Sequence, residues 1–387
     1  MSTDTPIIIS DLPPDKSVLQ RILLLFPFLD EHEIILEISG PLGEDVKTCL
    51  NIIQQLGIHV LLSKSSIVLS KVHNLKKDSE LVLNCRNSAT CARLLLGLLC
   101  GAKIRAIIYG DESLSSRPME RVLQPLKHIG GKFEYLEKHG CLPIRVIPSD
   151  LQSAEITLSI PSAQVKSTVL FAAFAGNISV SIQGKIQSRD HTERLFWFLH
   201  LNLIHSMQSL EYLPDKKPKV PAKMIIPGDI SSAAFLIITT LLIGKKKLLL
   251  DNVGVNNSRT TYLNILKNMN ANLDWKIEES KDCPEAIGKI SAQKSILLPI
   301  TISNDQIPMC IDELPVLSLA AAASNGESIF EEVSELRVKE SDRMQGIYEV
   351  LQNFGKKVSI EKDNIVITGI IIGMNKRHCN LMIIEYL

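Results

Sequence analysis

One kind of segment recurs along this chain, and its recurrence constrains the fold more than any single motif. A small polar cluster opens an alanine- and leucine-rich run of helical length, often closed by glycine. The instances are "DKSVLQRILLLFPFL" from Asp15, "NSATCARLLLGLLCG" from Asn87, "SAQVKSTVLFAAFAG" from Ser162, "GDISSAAFLIITTLLIG" from Gly228 and "DELPVLSLAAAASNG" from Asp312. Their starts lie roughly 65 to 85 residues apart. Between them fall amphipathic segments with apolar residues at helical spacing, such as "EDVKTCLNIIQQLGIHV" and "MERVLQPLKHIGGKFEY". Short β-branched runs such as "GNISVSIQG" and "DNIVITG" fill the gaps. The unit reads as strand, buried helix, strand, amphipathic helix and further strands, a repeated βαβαββ module of an α/β protein.

Two stretches are paired. "LPPDKS" at 12–17 and "IPGDIS" at 226–231 each set a proline-led turn and an Asp ahead of a buried helix. If each marks a chain crossing, residues 14–227 form one domain of three units, and residues 1–13 with 228–387 form the other. In the second domain the third unit is expected to be incomplete. "NIVITGIIIG" reads as its opening strand, and the spacing would start the next buried helix close to residue 387.

Composition removes several classes of function. A chain of 387 residues, 45% hydrophobic and 22% charged, has room for two full cores. Lys plus Arg and Asp plus Glu balance at 42 each, so no global basic field draws the chain to nucleic acid or anionic membrane. The eight cysteines show no CxxC pair and no ligand spacing, which points to reduced thiols in a cytoplasmic protein without a metal site. The run "AAFLIITTLLIG" is too short to span a bilayer, and the acidic Asp4 and Asp11 do not suit an export signal.

The chemistry gathers at the helix starts. Such ends carry unpaired N–H groups and partial positive charge, so several together favour anions before any side chain is counted. Here they are also dressed with cations and hydroxyls: Lys16, Ser17 and Arg21; Asn87, Ser88, Thr90 and Arg93; Ser162, Gln164 and Lys166. Loops add Arg117 and Arg121, then Ser188, Arg189, Asp190 and His191, then Lys339 and Arg343. Taken singly, these are ordinary N-caps and loop ion pairs, with His191 a capping or packing residue. Their recurrence in every unit is not explained by capping, which does not require Lys or Arg alongside. With Asp312 and Glu340 the only acids placed among them, the set describes a site for two anionic substrates.

The segments "DKSVLQR", "NSATCAR", "GDESLSSRPMERVLQPL", "PSAQVKS", "SRDHTER", "PGDISSAA", "DELPVLSLAAA" and "ELRVKESDR" together resemble the 5-enolpyruvylshikimate-3-phosphate synthase family, in the family's order and over about residues 12 to 370. The resemblance implies the two-domain enolpyruvyl transferase fold, an inside-out α/β barrel, closing around shikimate 3-phosphate and phosphoenolpyruvate. It implies a cytoplasmic monomer of aromatic amino acid biosynthesis with small-molecule substrates, no metal, no organic cofactor, and no nucleic-acid or membrane partner. Carried over by position, Lys16, Ser17, Arg21, Ser162, Ala163, Gln164, Ser188, Asp312 and Lys339 match residues around shikimate 3-phosphate. Lys16, Ala89, Arg117, Gln164 and Arg343 match those around phosphoenolpyruvate. Asp312, Glu340 and Lys16 match the catalytic positions, Asp312 at the attacking hydroxyl and Glu340 at the methylene proton.

The sequence departs from the family at Pro14, Arg86 and Ala89, where glycine is usual, and up to residue 387 it shows no Asp-His-Arg helix start and no later Lys near Ser-Phe-Pro. Two alternatives follow: a relic that binds shikimate 3-phosphate without turnover, and a transferase acting on a UDP-amino sugar. The second suits the chain poorly, since Ser17 follows Lys16 and no loop cysteine is suitably placed.

Overall fold

A computed structural model describes residues 5–72, 79–339 and 341–369. Among them the strands form five four-stranded sheets with one pattern, a parallel pair extended by an antiparallel hairpin. In three sheets a buried helix lies in sequence between the parallel strands. Leu81–Asn84 leads through Ala89–Gly101 to Ala106–Tyr109, Ala154–Leu158 through Ala163–Gly176 to Val180–Gly184, and Thr301–Ile302 through Leu314–Ala323 to Gly326–Phe330. In the other two the strand ahead of the helix is used elsewhere. Ile7–Ile9 precedes the Lys16–Leu25 helix but pairs with Leu248–Gly254, while Lys223–Ile225 precedes the Ile230–Ile243 helix but pairs with Glu33–Glu37.

That exchange gives two compact units. One takes Pro13–Ile226 and the short stretch Lys281–Glu285; the other takes the chain to Leu12, Pro227–Ser280, and the chain from Ala286. Each has its own apolar core, running from Val18 to Ile226 in the first, and in the second from Leu12 and Ile230 to Ile367. The 281–285 stretch, without repeat or motif, is a feature sequence reading missed. It docks on the first unit through Ile225 N, which donates to the Asp282 carbonyl at 2.8 Å.

Buried helices begin where the polar clusters fall, because the cluster side chains cap them. Asp15, Ser88, Ser162 and Asp229 each accept a backbone N–H of the first turn. Closure of the last sheet corrects one expectation. Asn364–Gly369 does not open a sixth unit; it pairs antiparallel with both Lys357–Glu361 and Gly326–Phe330. A two-residue turn with Lys362 at φ +59° folds it back on the strand before it. The region where the next buried helix was sought, 370–387, lies outside the described residues. Among the described residues no helix is long and apolar enough to cross a membrane.

Candidate active site

In the first unit, Asp15 sets the geometry. Its buried carboxylate accepts from Ser17 N at 2.8 Å and Val18 N at 3.2 Å, which leaves Lys16 outside, 3.2 Å from Asp45. Arg21, one turn on, is buried. Its Nη1 donates to the Ser17 carbonyl at 2.7 Å, Nε to Thr192 Oγ1 at 2.8 Å and Nη2 to Ser167 Oγ at 3.0 Å. Burial draws its pKa down to about 10, against the raising influence of Glu193, Asp15 and Glu285. It therefore remains charged at neutral pH and stitches three helices together behind Ser17.

The next two helix starts are linked by side chains. Ser88 caps Ala89, accepting from Cys91 N and, at 2.9 Å, from Gln20 Nε2. Ahead of it, Asn87 Oδ1 accepts from Arg117 Nη2, which also donates to Ser113 Oγ at 3.1 Å. Ser162 caps Ala163. Gln164 Oε1 accepts from Arg93 Nη1, and Gln164 Nε2 donates to Thr90 Oγ1 at 3.2 Å. Ala89, Arg93, Arg117 and Gln164, spread over 76 positions by their numbers, thus serve adjoining helix starts. Two positive helix ends and two guanidiniums together can hold an anion.

Ser188 is half-buried and donates weakly to the Ile186 carbonyl at 3.4 Å. Two side chains of the sequence pattern, Lys166 and His191, are committed to buried pairs. Lys166 forms a buried pair with Glu193 at 2.5 Å, and His191 Nδ1 lies 2.7 Å from Glu285 Oε1, both side chains buried. A carboxylate only accepts, so Nδ1 donates.

In the second unit, Asp312 and Arg343, 31 residues apart, come together. Arg343 Nη1 donates to Asp312 Oδ1 at 3.0 Å, with the side chains 26% and 31% exposed respectively. Arg343 opens the Arg343–Asn353 helix, capped by Asp342. Lys339 is half-buried at the end of the short Ser334–Val338 helical turn. Glu340 lies outside the described residues. Sequence reading also missed Glu313, beside Asp312. It is buried with Arg259 and Ser231, partners 54 and 82 residues away, and only its adjacency to Asp312 could have pointed to it. Among the described residues no group of three or more His, Cys, Asp or Glu could hold a metal ion.

A family model described as EPSP synthase (3-phosphoshikimate 1-carboxyvinyltransferase) matches residues 8–378. A curated 3-phosphoshikimate 1-carboxyvinyltransferase of Thermus thermophilus is 37% identical, over 92% of this chain and 83% of its own. One from Caldicellulosiruptor bescii is 35% identical with the same coverage. Among solved structures, EPSP synthase from Acinetobacter baumannii superposes with a TM-score of 0.80 at 31% identity, covering 94% of this chain and 81% of that one. The enolpyruvyl transferase NikO from Streptomyces tendae shares the fold at a TM-score of 0.67 and 13% identity, covering 94% of this chain and 82% of its own.

Proposed function

The chain belongs to the EPSP synthase (3-phosphoshikimate 1-carboxyvinyltransferase) family, and from that premise we propose how its residues transfer the enolpyruvyl group of phosphoenolpyruvate to the 5-hydroxyl of shikimate 3-phosphate, releasing phosphate. The match over residues 8–378 carries the reading. Lys16, Ser17, Arg21, Ser162, Ala163, Gln164, Ser188, Asp312 and Lys339 hold shikimate 3-phosphate. Lys16, Arg117, Gln164, Arg343 and the backbone at Ala89 hold phosphoenolpyruvate. Asp312 takes the 5-hydroxyl proton as that oxygen bonds to the enol carbon, while Glu340 protonates the methylene. The tetrahedral ketal then breaks its bond to phosphate and returns a methyl proton, restoring the double bond. The cations stabilise the charge that develops on phosphate and carboxylate.

The Asp312–Arg343 pair supports one step in particular. Arg343 holds the Asp312 carboxylate at 3.0 Å. A second carboxylate, that of phosphoenolpyruvate, competes for the same guanidinium and draws it from the Asp312 carboxylate as that group acts as base. The enzyme works as a cytoplasmic monomer on two small molecules, without metal or organic cofactor, and gel filtration tests the monomer.

Phosphate release with both substrates is the main test. Asp312→Asn is expected to lower kcat by about 10²–10⁴-fold while calorimetric binding of shikimate 3-phosphate persists. Background release from folded protein that still binds shikimate 3-phosphate would instead favour the binding-only relic.

A further inference from the structure

Glu313 sits one peptide from Asp312 and is 1% exposed. Its Oε1 accepts from Ser231 Oγ and, at 3.4 Å, from Arg259 Nη2. Arg259, 3% exposed, also donates to Ser231 Oγ and lies 4.0 Å from Asp229. Asp229 in turn caps the helix, accepting from Ser231 N at 2.8 Å. The start of the Ile230 helix, the loop carrying Arg259 and the start of the Leu314 helix are thereby tied through one buried carboxylate.

The chain holds an internal control for this arrangement. Asp15 and Ser17 make the same 2.8 Å capping bond as Asp229 and Ser231. In the first start the half-buried serine is one of those assigned above to shikimate 3-phosphate; in the second its hydroxyl donates to Glu313. A desolvated carboxylate and guanidinium are costly to bury, and apolar side chains of the same size would pack as well or better. What the charged set supplies is direction. Two donors on Glu313 Oε1 fix the side chain one peptide from Asp312, and with it the approach of the carboxylate that lies 3.0 Å from Arg343.

We propose that Ser231, Glu313 and Arg259 are positioning residues that aim Asp312 at the reacting hydroxyl, an inference that rests on the role given to Asp312 above. Displacement of a reacting group by an ångström costs about 10²-fold in rate, so loosening by a fraction of that should slow turnover with little change in ground-state binding.

Ser231→Ala removes one hydroxyl and leaves the Glu313–Arg259 pair in place, so the chain should fold. The expected result is a fall in kcat of about 10-fold with both KM values within about 2-fold, and recovery in Ser231→Thr, which keeps a hydroxyl. Unchanged kcat in the folded Ser231→Ala protein overturns the proposal, as does a rise in KM alone. Thermal unfolding of Ser231→Ala, Asp312→Ala and the double variant supplies a readout that needs no turnover. If the wild type shows none, the functional reading fails and this cycle alone decides. A combined Tm loss short of the sum of the single losses supports coupling of the two residues, and additive losses overturn it.

Discussion

Arg86 holds a backbone angle that a glycine holds without strain. It sits at φ +47° in the turn before Ser88, with its N–H donating to Asn84 Oδ1 at 2.8 Å and its carbonyl accepting from Asp111 N at 2.8 Å. The left-handed region costs a residue with a Cβ about 1–2 kcal/mol, while glycine's greater freedom in the unfolded chain costs about 0.5–1 kcal/mol. The Arg86 to Glu44 pair, at 3.6 Å between exposed side chains, offsets little of that difference. Arg86→Gly should therefore stabilise the first unit by about 0.5–1 kcal/mol, read as a higher denaturant midpoint; a lower midpoint would mean that the ion pair outweighs the strain. The sequence marked this position as a departure from a glycine pattern but could not say what a glycine does there. The same limit applies to Glu313. Asp312 and Arg343 were legible because motifs carry them, whereas the value of Glu313 depends on partners that only folding brings near.

Among elements, the Ala89–Gly101 and Ala163–Gly176 helices approach each other closely. A Cβ on Gly97 would lie 2.2 Å from the Thr168 carbonyl oxygen, and one on Gly101 2.3 Å from that of Ala172. Glycine inside a helix costs about 1 kcal/mol against alanine, so these two positions are kept for close approach and not for helix stability. Thr168 Oγ1 adds a bond to the Arg93 carbonyl at 3.1 Å. Gly97→Ala must push the helices apart, since the opposing atom is backbone and cannot rotate away. Overpacking of this kind costs about 1–3 kcal/mol, and the shift would pull Arg93 from Gln164 at the helix starts. The expected outcome is a lower unfolding midpoint together with weaker calorimetric binding of phosphoenolpyruvate; unchanged binding would uncouple packing from the site. Sequence pattern revealed the two helices through their polar starts and apolar runs. It did not reveal that Gly97 faces a neighbour, because apolar-all-round segments have no marked face.

For the whole molecule, the stretch "KDCPE" at 281–285 links chain order to stability in an unexpected place. The repeats made the α/β class legible, since each sheet repeats one pattern of a parallel pair and an antiparallel hairpin. Nothing in those five residues announces that they pack with residues 13–226. Their anchor is Glu285, buried against His191 Nδ1 at 2.7 Å and 3.8 Å from Arg194 Nε. Removing one partner of a buried pair strands the other and costs about 3 kcal/mol or more. Glu285→Ala should thus weaken the first unit although the residue lies 59 positions beyond its main segment, and Glu285→Gln, which still accepts a hydrogen bond, should weaken it less. Thiol labelling can separate the two cores. Cys91 in the first and Cys310 in the second are both fully buried, and burial with neighbouring Cys49 and Cys85 pushes the Cys91 thiol well above its usual pKa, so it labels only on opening. With sites resolved by peptide mass spectrometry across a denaturant series, Glu285→Ala is expected to lower the midpoint at Cys91 and leave that at Cys310 in place. Equal shifts at both would mean that the two cores unfold as one, and no shift at either would mean that the His191–Glu285 pair contributes nothing to stability.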